Sequence, residues 1–267
     1  MHYVSDRLIS IQVIGATTSP PPDIASARSQ LELLTLLPVL YGNGLATCFP
    51  CPPDLLAEII RVNYLRSVFQ AVPTDSTTPI LVEEGKSAAA LDILHRIKAF
   101  SVEKWADEVV VGIGDSQNAG FEVGLAGWRG IADIYKSAVA IYCIASLLWD
   151  NSGDNTDGQL GRGQPEIMTQ VRETCRRVLI GGLREANKCT RLRKLVLWPL
   201  LVAGVEAAED DDATRMFVGD ELRWISKTLG TAAPLVARDL LENNIWARGL
   251  GRGGWDGLFD QPYVFVL

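Results

Sequence analysis

The chain has 267 residues, 48% hydrophobic and 21% charged, a mix that can bury a large core and excludes a disordered chain. Its formal net charge of −7 works against a nucleic-acid surface, because binding phosphate needs clustered Lys and Arg able to displace counterions. The opening residues carry Asp6, Arg7 and Gln12, which breaks the pattern of a secretory signal and points to an intracellular protein.

Residues 1–27 are expected to form a poorly ordered or peripheral segment, ahead of a single helical domain over 28–267. From Leu55, apolar residues at Leu55, Leu56, Ile59, Ile60, Tyr64 and Val68 share one face, with Glu58, Arg61 and Arg66 on the wet face. Asp54 is the expected N-cap, and the helix should end near Val72–Pro73. A second helix is predicted over Ser87–Trp105, with Leu91, Leu94 and Ile97 inward. Trp128 to Trp149 reads as the central helix, apolar all round in its second half. Its longest uncharged stretch, Ser137–Trp149, falls short of the roughly 20 residues a membrane span needs.

The Gly- and Asp-rich stretch after Asp150 reads as a loop. Pro165 opens a helix in which Ile167, Val171, Cys175, Val178, Gly182 and Ala186 recur at helical spacing, and Glu173 can pair with Arg177. The segment from Leu192 to Asp210 is helical in pattern but contains Pro199, so packing must compensate or the helix must begin afresh there. After the acidic turn Glu209–Asp212, a helix with Val218, Leu222, Ile225 and Leu229 on one face should stop at Gly230, and a last one covers Pro234–Trp246. Only Val109–Gly114 and the tail from Tyr263 to Leu267 look strand-like, so the expected fold is all-α.

Reactive constellations are sparse. Gly112-Ile113-Gly114 follows an apolar run, as in a dinucleotide-binding turn, but position 117 is Gln where the third glycine belongs; a turn between helices is the better reading. Ser116 would need a base, and His95 is expected to sit on the surface beside Asp92. Cys48 and Cys51 have C-x-x-C spacing without a second ligand pair, and five scattered cysteines fit reduced thiols. The run Glu209–Asp212 lacks the spacing of a calcium loop and places negative charge at the start of the next helix. Arg191, Arg193 and Lys194 read as a solvated face. No catalytic, metal or DNA-binding residue is assigned.

Five blocks occur in order: Cys51-Pro52-Pro53-Asp54-Leu55-Leu56 with Ile59-Ile60 and Leu65-Arg66; Tyr135 to Tyr142; Leu197-Trp198-Pro199-Leu200-Leu201-Val202-Ala203-Gly204-Val205-Glu206-Ala207; Ala233 to Trp246; and Trp255 with Phe259. Together they resemble the regulatory domain that lies C-terminal to the zinc binuclear cluster in fungal transcription factors, in particular its second, shorter class. The resemblance implies an array of about eight or more helices around a central apolar one. It makes Tyr135, Tyr142, Trp198, Pro199, Gly204, Glu206 and Trp246 its motif positions, in structural roles.

It further implies a nuclear, or nuclear and cytoplasmic, regulator of transcription, including genes of secondary metabolism. Such a domain acts through a homodimer, transcriptional coregulators or a small-molecule effector, with no membrane and no direct nucleic-acid contact. The family's DNA-reading part needs six closely spaced cysteines, which this sequence lacks; no cofactor is expected here, and zinc belongs only to that absent part. The alternative is a helical enzyme, a hydrolase using Ser116 or a metal-dependent terpene-type enzyme using Asp210-Asp211-Asp212.

Overall fold

The computed structural model describes residues 2–41, 49–71, 79–115, 123–148, 164–207, 211–248 and 254–265. Among these there are helices and no strand: α1 (His2–Thr17), α2 (Ile24–Leu40), α3 (Pro53–Gln70), α4 (Pro79–Ala99), α5 (Val102–Asp115), α6 (Leu125–Cys143), α7 (Gln164–Asn187), α8 (Thr190–Arg193), α9 (Leu197–Val205), α10 (Asp212–Leu229), α11 (Ala233–Leu240) and α12 (Trp246–Arg248). The fold is all-α. Wider π turns continue α6 over Ile144–Leu148 and join α11 to α12 over Leu241–Ile245, and a 3-10 turn spans Trp255–Leu258.

The centre is α6, which packs on α3, α4, α5, α7 and α9. From Ser137 to Cys143 every side chain is buried, as expected of a helix apolar all round. With its π turn it runs from Leu125 to Leu148, which by length and composition is enough to cross a bilayer. However, 83% of its apolar window is buried inside the protein, so it is the core helix. One buried cluster runs from Ile9 to Phe265.

Several expectations change in the structure. The N-terminal segment is not peripheral: α1 lies on α2 and α3, and Val13, Ile14, Thr17 and Thr18 are wholly buried. The helix expected over Ser87–Trp105 is two helices, broken at Phe100–Ser101, where the Ser101 hydroxyl accepts from the Lys104 amide and starts α5. Val109–Gly114 is neither strand nor turn but the last part of α5, because Trp105, Ala106 and Val109 fall on one helical face and are buried. Residues 263–265 form no strand. α3 starts on Pro53, a residue that needs no amide partner, so Asp54 sits in the first turn rather than capping it.

Pro199 also costs little. It is the third residue of α9, and the first bond across it, from the Leu200 amide to the Val196 carbonyl at 2.8 Å, does not need the missing donor. Asp211 accepts from the Thr214 amide at 3.0 Å and caps α10, and α10 stops at Gly230 in the left-handed region, φ 66°.

Candidate functional site

The motif residues gather where α9 meets α6, α1 and the C-terminal turn. Trp198 lies 6.4 Å from Tyr135 in a stacked arrangement and 6.2 Å from Tyr142 edge-on. Its indole N–H donates to Thr17 Oγ1 at 2.9 Å, while Tyr135 donates to the Leu195 carbonyl at 2.8 Å. The Trp255 indole donates to the Thr17 carbonyl at 2.6 Å. Each polar edge of these buried rings is thus satisfied by a segment distant in sequence, which fixes how the helices approach one another.

Beside the rings lies a buried charge. Arg66 was expected on the wet face of α3, but its side chain is fully buried. It donates to Asp256 Oδ1 at 2.6 Å, to the Ala16 carbonyl and the Tyr142 hydroxyl at 2.8 Å, and to the Ser19 carbonyl at 2.9 Å. Burial pulls its pKa down, but Tyr142 and Asp256 together outweigh that and raise it, so it stays charged. Asn63, one turn before, donates to the Val13 carbonyl and to Gln30. This network ties α1, α2, α3, α6 and the turn after Gly254 together.

Burial pushes the Tyr142 phenol up to about 12, with Arg66 pulling the other way. A raised folded value means the neutral phenol stabilises the fold, fully so below pH 10.0 and progressively less as pH rises through about 12. Urea midpoints of the wild type should therefore fall more steeply across this window than those of Tyr142→Phe. Equal slopes would show that Tyr142 does not titrate on unfolding.

The end of the tryptophan block serves the same purpose. Glu206, 6% exposed, takes a bidentate pair from Arg172 of α7 at 2.8 and 2.7 Å. Trp246 donates to the Gly204 carbonyl at 2.8 Å. A Cβ on Gly204 would meet Leu241 Cδ1 at 2.5 Å and Val218 Cγ1 at 3.1 Å, so glycine is needed for the close approach of α9 to α10 and the Leu241–Ile245 turn. Gly204→Ala should destabilise by about 1–3 kcal/mol in a denaturant titration; a neutral result would mean that the two neighbours move aside freely.

The sequence-level reactive candidates are not brought together. His95 is exposed, and Asp92 pairs with Arg96 instead of holding it. Ser116, Cys48 and Asp210 lie outside the described residues, while Asp211 is used as a cap and pairs with Arg176 at 3.0 Å. Cys51 and Cys143 are buried, which pushes both thiols up. Arg193, read as solvated, makes a bidentate pair with buried Glu221 and lies 3.8 Å over the Trp224 ring. Among the described residues no group of His, Cys, Asp and Glu has metal-site geometry.

One cleft was not foreseen. Glu58, also expected to face water, is 4% exposed and bridges α3 to α4, its Oε1 accepting from Arg61 at 2.5 Å and Arg96 at 2.9 Å. Its Oε2 is buried without a hydrogen-bond partner. The surrounding cavity, about 340 Å³, is floored by Leu55, Ala57 and Phe100. Sequence periodicity could not find it, because Arg96 reaches Glu58 across 38 positions.

No protein-family model matches the chain, and no solved structure does. A curated protein of Leptosphaeria maculans, the phomenoic acid biosynthesis cluster-specific transcriptional regulator, is 36% identical to it over 261 residues. The match covers 96% of this chain and 44% of the relative, so the chain spans less than half the length of the protein it matches. The ordered sequence blocks and the all-helical fold in which their residues meet are thus accompanied by similarity, along 96% of the chain, to a cluster-specific transcriptional regulator.

Proposed function

We propose that this chain is the regulatory part of a fungal transcription factor that controls a biosynthetic gene cluster in the nucleus, acting through dimerisation and coregulator contact rather than by chemistry. The observation that carries this reading is the similarity to a transcriptional regulator along 96% of the chain. The structure supports it from the other side. The motif residues are used for buried contacts between helices, as a module whose output is shape requires.

Fusion of the chain to a heterologous DNA-binding domain in a reporter strain tests the proposal. Reporter output should differ clearly from that of the DNA-binding domain alone. Identical output, with the fusion present at equal level in the nucleus, would remove the regulatory reading.

The Glu58 cleft favours an effector as an additional input. Its volume falls at the lower end of small-ligand sites, and it sets the apolar Leu55, Ala57 and Phe100 beside the charged Asp54, Glu58, Arg61 and Arg96, a lining suited to a polar or charged metabolite. A metabolite that raises the melting temperature of the wild type should fail to do so for Arg61→Ala. A shift retained in that variant would place the effector elsewhere.

A further inference from the structure

We propose that the Glu58 cleft takes a small zwitterion, an ammonium and a carboxylate held close together on an apolar frame, as in an apolar amino acid; the proposal rests on the effector input read from this cleft above. Asp54, Glu58 and Arg61 line the cavity from α3 at intervals of four and three residues, so they form one stripe along that helix. Arg96 and Phe100 line it from the C-terminal end of α4 and the residue just beyond.

Neither sign dominates, since two carboxylates and two guanidiniums surround the apolar floor. A simple cation would meet Arg61 and Arg96, and a simple anion would meet Asp54 and Glu58. An uncharged apolar ligand would strip water from all four groups and return nothing. A ligand of both signs gives each group its opposite.

The capacity left unused has the same two signs. Glu58 Oε1 takes both Arg61 and Arg96, while Oε2 has no donor, so this carboxylate has room for a further N–H. Asp54 is exposed and pairs with no cation among the described residues. Arg96 lies between Glu58 and Asp92, whereas Arg61, 34% exposed, meets Glu58 alone among the described residues and is the freer cation. Acceptors for an ammonium thus lie at Asp54 and Glu58, with donors for a carboxylate at Arg61, about 5 Å further along the helix axis. That spacing fits the two ends of an amino acid. The floor is fixed in advance, because Lys136 of α6 donates to the Phe100 carbonyl at 2.8 Å and the Lys98 carbonyl at 3.0 Å and lies 6.0 Å from the centre of the Phe100 ring.

Isothermal titration of the whole chain with the apolar protein amino acids at millimolar concentration tests this. At least one, such as L-leucine, should bind. Its truncated analogues, for leucine isocaproate without the amine and isopentylamine without the carboxylate, should bind at least about tenfold more weakly. Asp54→Asn, at an exposed position, and Arg61→Ala, which leaves Glu58 paired with Arg96, should each weaken amino-acid binding at least about tenfold, with unchanged helical content. An analogue that binds as tightly as its amino acid, and loses that binding in either variant, would overturn the zwitterion while leaving the cleft as an effector site. Amino-acid binding untouched by both variants would overturn the cleft itself. Absence of binding by every amino acid in the set would overturn the proposed class and leave the effector reading to other metabolites.

Discussion

Replacing Arg66 with alanine is expected to cost about 3–5 kcal/mol, the range found when one partner of a buried ion pair is removed. The loss goes beyond one salt bridge. Asp256 is 41% exposed and regains water, but the Ala16 carbonyl and the Tyr142 hydroxyl are buried and lose a charged donor. A urea titration followed by circular dichroism measures the change. Asp256→Asn, which leaves the other three bonds of Arg66 in place, should cost much less. If the two variants are equally destabilised, the carbonyl contacts contribute little and the ion pair alone matters.

Trp198→Ala should be of similar size, about 3–5 kcal/mol, from loss of a large buried ring and the cavity it leaves. Trp198 is 1% exposed and touches both Tyr135 and Tyr142. Trp198→Phe separates packing from polarity, since it keeps most of the ring and removes only the bond to Thr17, worth about 0.5–1.5 kcal/mol. Thr17 remains satisfied as a donor, because its hydroxyl bonds the Ile14 carbonyl at 2.6 Å. An alanine variant as stable as the phenylalanine one would show that neighbours collapse into the space.

Elements with a single wet face were legible in the sequence. α10 has its apolar stripe within its own residues and is flanked by acidic Asp211 and by Gly230, and its end came out as read. The central helix was equally plain, because being apolar all round has no other soluble explanation. What stayed hidden were the charged residues that turn inward. Arg66 and Glu58 sit at wet positions of a periodic pattern, and their burial is made tolerable by partners that include Asp256 and Arg96, 190 and 38 residues away. The break at Ser101 was missed because α4 and α5 are both apolar in pattern and nearly abut. On α7 the periodic pattern grouped the exposed Ile167 and Val178 with the buried Ala186, because apolar residues lie on two sides of that helix. The motif positions were read from the resemblance as structural, but their individual partners, such as Arg172 for Glu206, could come only from the fold.

The bond from the Trp255 indole to the Thr17 carbonyl joins residues 238 positions apart, and the Thr18 carbonyl likewise accepts from the Tyr263 amide at 2.9 Å. At synthesis rates of about 5–20 residues per second, roughly 10–50 s separate translation of the first member of this pair from the second. During that interval the first helix waits on the ribosome with its last turn unsealed. Emergence of Trp255 and Tyr263, rather than collapse of the early helices, therefore sets the moment at which this contact closes, and a polypeptide stalled or stopped before them would present its aromatic centre to chaperones.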